Sequence, residues 1–427
     1  MKKFLTLIVA AAAFLPGVSS YAESPVKAEI MHHFKPYGFI RNYALFDTRA
    51  TKALAEDIYF FIPQDIKKVG AAEDVNAVPN FNYQAITTRL GVDILGYQIG
   101  DTKIAGKIEG DFYCLNSSGN TGTFRMRQAY VDLIWDGLGR DEDTNLSLRI
   151  GQGWHPLAAD MAHGINLETG APFSPFNRSA QVMFNATFNK VTLTAGILEQ
   201  LQYRSNGPDG STNKYQRHAI IPEVYAGISL KSGGFLGRVG VSVLSIRPRY
   251  GYSAAGVKYN EMLTTVNPFM YLQYTKNLFQ VKAKTVYAQA GEHMQLNSGY
   301  VGWLVDPVKD IADYAPIQSS VSFVSFQYGK KWQVLGMLGY QQNLGTTKEV
   351  GALNTVYFSG NGYSNIARMA RVTPTVMYNL GRMQFGLEYD YTMVQYGTIA
   401  DNHRKIVNSG LHWVGNHRIL LMAKFNL

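Results

Sequence analysis

Cysteine is nearly absent: one residue, Cys114, in a chain of 427. A single thiol excludes a disulfide scaffold and a multi-cysteine zinc site. Charge is sparse, at 17% of residues against 46% apolar, and that balance excludes a disordered chain. Beyond the first residues no uninterrupted apolar run approaches the roughly 18 residues of a membrane-spanning helix, so a helical membrane protein is excluded. The 41 glycines have no three-residue period, which excludes collagen. There is no His-Glu-x-x-His helix, Walker A loop, Gly-x-Ser-x-Gly elbow or Rossmann fingerprint. Aromatic side chains, by contrast, are plentiful, with 27 Tyr and 22 Phe.

The start of the chain reads as a secretory signal. Lys2-Lys3 form a positive n-region, Phe4 to Val18 an apolar h-region, and Ser20-Tyr21-Ala22 a small-residue cleavage site before Glu23. Cleavage after Ala22 removes two lysines and no acid, so the net charge falls from +9 to +7. The expected division is 1–22 signal peptide, 23–35 short periplasmic segment and 36–427 barrel. The mature chain is then exported. Cys114 lies on an apolar parity and reads as a small hydrophobe.

The informative signal is alternation, the period-2 mark of a strand with two unlike faces. From Lys103 to Cys114 the odd positions are Lys103, Ala105, Lys107, Glu109 and Asp111, and the even ones are Ile104, Ile108, Phe112 and small residues. From Met383 to Met393 the odd positions are all apolar or aromatic, against Gln384, Glu388, Asp390 and Thr392. Gln280, Lys282 and Lys284 oppose Phe279, Val281 and Ala283 in the same way. A soluble sheet with one wet face also alternates. Three features favour a membrane barrel. The segments run to about ten residues or more, as tilted spanning strands require. Aromatics crowd their ends as interfacial girdles would: Tyr37, Phe39, Trp135, Tyr271, Tyr274, Tyr287, Phe326, Tyr328, Trp332, Tyr340 and Tyr378. Connections alternate between short and long. Seven tight turns and eight long loops join sixteen strands, with Gly410–Leu427 read as one long last strand; eighteen strands remain an alternative. In Thr123–Asp136 the parity of Arg125 and Arg127 is broken at Val131, which a β-bulge or an extension above the bilayer would explain. Counting back from the end, Leu427, Phe425, Ala423, Leu421 and Ile419 form an apolar face similar to the terminal assembly signal of outer-membrane barrels. That similarity implies the barrel assembly machinery as a partner.

Only Glu23 to about Lys35 precede the first strand, too little for a plug domain. About sixteen strands leave an aqueous channel, so passive diffusion of small hydrophilic solutes is the expected function. On strands one to five, Arg41, Arg89, Lys107, Glu109, Asp111, Arg125, Arg127 and Arg149 are read as facing the lumen. The net positive charge favours anions only mildly.

Several segments together resemble a porin family of Bacteroidetes outer membranes, itself similar to trimeric dicarboxylate-uptake-type porins. They are Lys35–Tyr43 at the first strand, Thr88–Gly91, Gly151–Pro156, Pro172–Arg178 and Ile221–Gly227. The resemblance covers the mature chain. It implies an all-β transmembrane antiparallel barrel of 16 strands, a homotrimer, and residence in the outer membrane of a Gram-negative bacterium, in contact with its lipids. In such trimers the loop after the fifth strand folds into the barrel. Here that loop, Gly153–Asn177, carries His155, Asp160, His163 and Glu168, with Trp154 and Phe173 as anchors. It is expected to be a constriction loop whose charges face the arginine wall, making a transverse field in a narrow wet pore. The bland alternative has the arginines as ordinary solvated lumen residues paired with Glu109 or Asp111.

No cofactor, metal site or catalytic set is expected. His155 and His163 lack a third ligand, and His32-His33 reads as a solvated pair. Basic residues are dispersed over strands in an exported chain, so nucleic acid is not an expected partner. Two other readings compete: a barrel enzyme of the lipase kind, and a soluble secreted glycan-binding β-protein. The first needs a Ser-His-acid set at one strand end, which no spacing singles out.

Overall fold

The computed structural model describes residues 32–54, 58–70, 73–85, 87–113, 123–139, 143–166, 170–360, 362–401 and 404–427. The signal and cleavage-site readings, Cys114 and Glu168 lie outside the described residues.

Sixteen antiparallel strands close into a barrel. They are β1 (Phe34–Asp47), β2 (Asn80–Gln84 continued by Arg89–Ile99), β3 (Thr102–Tyr113), β4 (Thr123–Leu138), β5 (Thr144–Trp154), β6 (Arg178–Phe188), β7 (Val191–Gln200) and β8 (Glu223–Ser232). The circuit continues through β9 (Phe235–Ile246), β10 (Leu263–Lys276), β11 (Phe279–Gln289), β12 (Ile311–Gly329), β13 (Trp332–Thr346), β14 (Ile366–Leu380), β15 (Met383–Asp401) and β16 (Ile406–Asn426). β1 pairs with β2 on one side and with β16 on the other, from Phe39↔Asn426 to Asp47↔Arg418. Closure leaves no open edge, so every strand finds its backbone partners on both sides. The last strand runs unbroken through Gly415-Asn416, as the reading of Gly410–Leu427 as one strand expects.

The alternation resolves into an outer apolar face and an inner polar one. On β15 and β16 the outward Phe385, Leu387, Ile419 and Leu421 are exposed, while the inward Glu388, Asp390, Asn416 and Arg418 are fully buried. Tyr274, Phe326, Tyr328, Trp332 and Tyr340 are exposed on the outside, as girdle residues should be. Tyr37, Phe39 and Tyr271 correct that expectation, because their parity turns them inward. The Tyr37 hydroxyl donates to Glu109 at 2.9 Å, the Phe39 ring lies 4.9 Å from the Arg41 guanidinium, and Tyr271 is 1% exposed. The broken parity of β4 is a β-bulge: Glu109 pairs with Gln128 and Gly110 with Met126, so Arg127 is the extra residue. The bulge lets Arg125 and Arg127 share the inner face with Gln128, Tyr130 and Asp132.

Among the described residues, parts of three long loops meet inside the barrel. Loop 1 (48–79) carries a hairpin of Thr51–Leu54 and Tyr59–Pro63 whose Phe60, Phe61 and Ile62 are fully buried. Leu157, Ala162, Phe173 and Phe176 of loop 3 (155–177) and the turn Gly291–Met294 of loop 6 (290–310) are buried with it, and the three form one apolar cluster that includes Phe173, Phe176 and Met294.

Candidate functional site

The inner face of β1 to β5 holds a lattice of guanidinium and carboxylate groups. Strand pairing sets Asp111 of β3 opposite Arg125 of β4, and Glu109 opposite Gln128. Asp111 accepts from Arg125 Nε and Arg127 Nη1, both at 2.7 Å, and Glu109 accepts from Arg127 Nε at 2.7 Å. Arg89 lies 3.8 Å from Glu109, and Arg41 Nε donates to the Thr87 hydroxyl at 3.1 Å. Nearer the turn end, Lys107 pairs with Asp93 at 2.7 Å and Arg149 with Asp132 at 2.8 Å. The lattice therefore contains the paired arrangement that the bland alternative describes. Among the described residues, Arg41, Arg89, Arg125 and Arg127 gather around the carboxylates Glu109 and Asp111.

Loop 3 faces this lattice across a cavity of about 40 Å³. Arg41, Arg89 and Arg125 line one side, and Ile165, Asn166 and Phe176 of the loop line the other. Tyr59 of loop 1 also reaches the cavity and lies against Phe176, with ring centroids 4.6 Å apart.

Among the described residues of loop 3, His155 and Asp160 pair with strands beyond β1 to β5. His155 binds Glu223 of β8 at 2.9 Å, and Asp160 pairs with Arg238 of β9 at 2.7 Å. Lys284 of β11 donates to the carbonyls of Leu157 and Asp160, and Lys282 to that of Met161 at 3.1 Å. The His163 amide donates to Ser325 of β12 at 3.1 Å. Burial, with Lys282 close by, pulls the His163 imidazole down to about 4, so the ring is neutral at pH 7. At the tip, the amides of Ile165 and Asn166 donate to the two oxygens of Glu388 at 2.5 and 2.8 Å. Phe173 then seats on Gly339 of β13, which has no side chain to hold it off. The loop is thus fixed to β8, β9, β11, β12, β13 and β15 in succession.

Several of these partners were not among the site residues expected from sequence. Arg238, Lys282, Lys284 and Glu388 sit at polar-parity positions, and the alternation that marked Arg89 marks them equally. Loop 1 carried no comparable signal. Its Phe61 ring lies between two guanidinium groups, each 3.7 Å from it, those of Arg371 and Arg418, and Arg418 is held by Asp47 at 2.7 Å. Buried cations of this kind need opposite charge, hydrogen bonds or an aromatic face, and here they have all three. Among the described residues no group of three His, Cys, Asp or Glu side chains gathers as a metal site.

No protein-family model matches the chain, and no curated protein does. Solved structures do match. The outer membrane channel DcaP of Acinetobacter baumannii aligns over 92% of this chain and 97% of its own, with a TM-score of 0.65 and 17% identity. The anion-selective porin of Comamonas acidovorans aligns over 92% and 99%, with a TM-score of 0.52 and 9% identity. OmpF of Salmonella typhi aligns over 92% and 97%, with a TM-score of 0.50 and 11% identity. At these identities the likeness is one of fold: the chain has the architecture of outer-membrane porins.

Proposed function

We propose that this chain is an outer-membrane porin that lets small hydrophilic solutes diffuse passively, with a mild preference for anions. The observation that carries the reading is a closed sixteen-strand barrel, apolar outside and charged inside, with a loop folded into it. An apolar outer band suits lipid, and a barrel of this strand number encloses water. Arg41, Arg89, Lys107, Arg125, Arg127 and Arg149, with Glu109 and Asp111, are the proposed lumen wall. Loop 3, with His155, Asp160, His163 and Glu168, is the proposed constriction. Among the described residues of the loop, Asp160 is held by Arg238, His155 by Glu223 and the His163 amide by Ser325, and Ile165, Asn166 and Phe176 line the cavity. Among the described residues beside the cavity guanidinium outnumbers carboxylate, which supports anion preference, since fixed charge in a low-dielectric channel attracts the opposite sign.

The same reading places the mature chain as a homotrimer in the outer membrane of a Gram-negative bacterium, inserted by the barrel assembly machinery after signal cleavage. Kinship with the Bacteroidetes porins rests on the segments quoted above. Swelling of liposomes containing the refolded protein tests the function. Entry of small sugars, with small organic anions entering faster than cations of equal size, is expected. Liposomes that stay impermeable to every small solute, with protein shown to be folded, would overturn it.

A further inference from the structure

A second group of titratable residues lies apart from the arginine lattice, where loop 3 meets loop 6. His155, Glu223, Glu292 and His293 are each no more than 1% exposed. Glu223 of β8 stands at the centre. One of its oxygens accepts from His155 Nε2 at 2.9 Å and from the Ser242 hydroxyl of β9, and lies 3.9 Å from His293 Nε2. The two imidazoles are set differently. His155 Nδ1 accepts from the Leu157 amide at 3.1 Å, so its one proton is on Nε2 and the ring is neutral. His293 Nδ1 faces the Ala290 carbonyl at 3.3 Å, and Nε2, which has no hydrogen-bond partner, lies 3.9 Å from the Glu223 carboxylate, within reach of an ion pair when the ring is protonated. Beside it, neither oxygen of Glu292 has a hydrogen-bond partner.

The cluster sits on a joint. The Phe176 amide donates to the Met294 carbonyl and the Asn177 side chain to the His293 carbonyl, both at 2.8 Å, so the returning end of loop 3 is fastened to the loop 6 turn. That turn is short and has a left-handed residue at each end, Ala290 with φ 49° and Gln295 with φ 57°. It keeps this shape through what it packs against.

We propose that these four residues are a proton-operated latch: loop 6 is clamped to loop 3 while Glu292 is protonated and His293 charged, and is released as pH rises. In the clamped state the buried charges are Glu223⁻ and His293⁺, which cancel. Losing the Glu292 proton puts a second carboxylate in the same dry space. Losing the His293 proton then removes the only cation of the four. The buried charge passes from zero to two negatives, which burial opposes strongly. Burial pushes the Glu292 carboxyl up to about 7, and Glu223 holds the His293 imidazolium above the ordinary imidazole value in spite of its burial. The sign follows for both groups. Glu292 weakens the clamp as pH rises from its ordinary value near 4.5 to about 7, and His293 weakens it from 6.5 upward. The other polar groups facing Glu292 are Ser205 and Asn206, in the loop between β7 and β8, and the phenol of Tyr300. His163, further along loop 3, works in the opposite direction, so a local readout is needed.

The latch bears on conduction only if the barrel is a channel, and the test separates the two. Hydrogen exchange of amides 291–298, corrected for intrinsic base catalysis, is followed from pH 5 to 9 in the full-length protein. Single-channel noise is recorded alongside. Wild-type exchange should quicken on the order of tenfold to a hundredfold across that range. Glu292→Gln should lose the part below pH 7, and Glu292→Gln with His293→Gln should be flat. Exchange that is flat in the wild type, or that keeps its full pH dependence in Glu292→Gln, overturns the proposal. Exchange that follows pH in a barrel that conducts nothing supports the latch and refutes the porin reading.

Discussion

The most direct handle on loop 3 is the glycine on which it rests. A Cβ at Gly339 would stand 2.4 Å from Cγ of Phe173 and 2.8 Å from its Cβ. Ordinary carbon contacts are about 3.5–4.0 Å, so one side must move by roughly 1 Å. Gly339 is held on both flanks, opposite Phe323 of β12 and Arg371 of β14. Phe173 belongs to a loop with no ladder, so the loop should yield. Overpacking of this kind costs about 1–3 kcal/mol. The burial that keeps Phe173 in place is worth about 1.5–3 kcal/mol. Because the two are of equal size, Gly339→Val should leave loop 3 alternating between docked and undocked states rather than expelled. Planar-bilayer recording should show extra current noise and brief higher-conductance openings, while the heat-modifiable gel mobility of the barrel is unchanged. Gly386→Ala is the comparison: its Cβ meets only the end of the Ile165 side chain, Cδ1 at 2.3 Å, which a rotamer change relieves. Its effect should be smaller. Traces of Gly339→Val indistinguishable from wild type, or a larger effect from Gly386→Ala, would refute the seating of the loop on these glycines.

Four further outcomes are expected. Leu387→Arg places a charge on an outward position that is 49% exposed, and should cost about 2–4 kcal/mol of folding free energy if it faces midplane lipid, read by urea titration in vesicles. Glu388→Gln keeps its shape but removes the charge from two hydrogen bonds at the loop tip; with charged hydrogen bonds worth about 1.5–3 kcal/mol, residues 163–166 should exchange faster while the barrel ladder does not. Arg89→Gln together with Arg41→Gln should lower anion preference, seen as a reversal potential shifted towards zero in a salt gradient. His163 binds a proton more readily when loop 3 is undocked, its docked value being about 4 against an ordinary 6.5, so docking of residues 161–164 should be full above pH 6.5 and weaken as pH falls towards 4. His163→Gln should abolish that acid response in the same exchange experiment.

The barrel was legible because its two faces meet solvents of opposite kind. Period-2 alternation survives wherever one face needs lipid and the other water, and turn residues such as Asn277, with φ 54°, punctuate it. It became ragged where geometry added a residue, as at Arg127. Girdle aromatics were the weaker signal: Tyr37 and Tyr271 are amphipathic, and a ring with a hydroxyl suits a wet lumen as well as a membrane edge. The arginine lattice was readable as a set of parities, but its pairing was not, because Asp111 meets Arg125 only through the register of β3 and β4. The partners of loop 3 lie beyond reach of local sequence for the same reason. Asp160 and Arg238 are 78 residues apart, and Ile165 and Glu388 are 223 apart. Loop 1 was missed because an inward hairpin and a solvated loop have the same local composition. What separates them is the guanidinium pair, Arg371 and Arg418, waiting on distant strands.

The central claim is that the chain is a channel with a positively charged lumen. Planar-bilayer conductance of the refolded full-length protein across a salt gradient tests it most directly. The account predicts stepwise conductance with a reversal potential on the anion side, reduced when Arg41 and Arg89 are neutralised. A cation-side potential would contradict the role given to the arginine lattice, and no conductance from protein shown to be folded would contradict the channel itself.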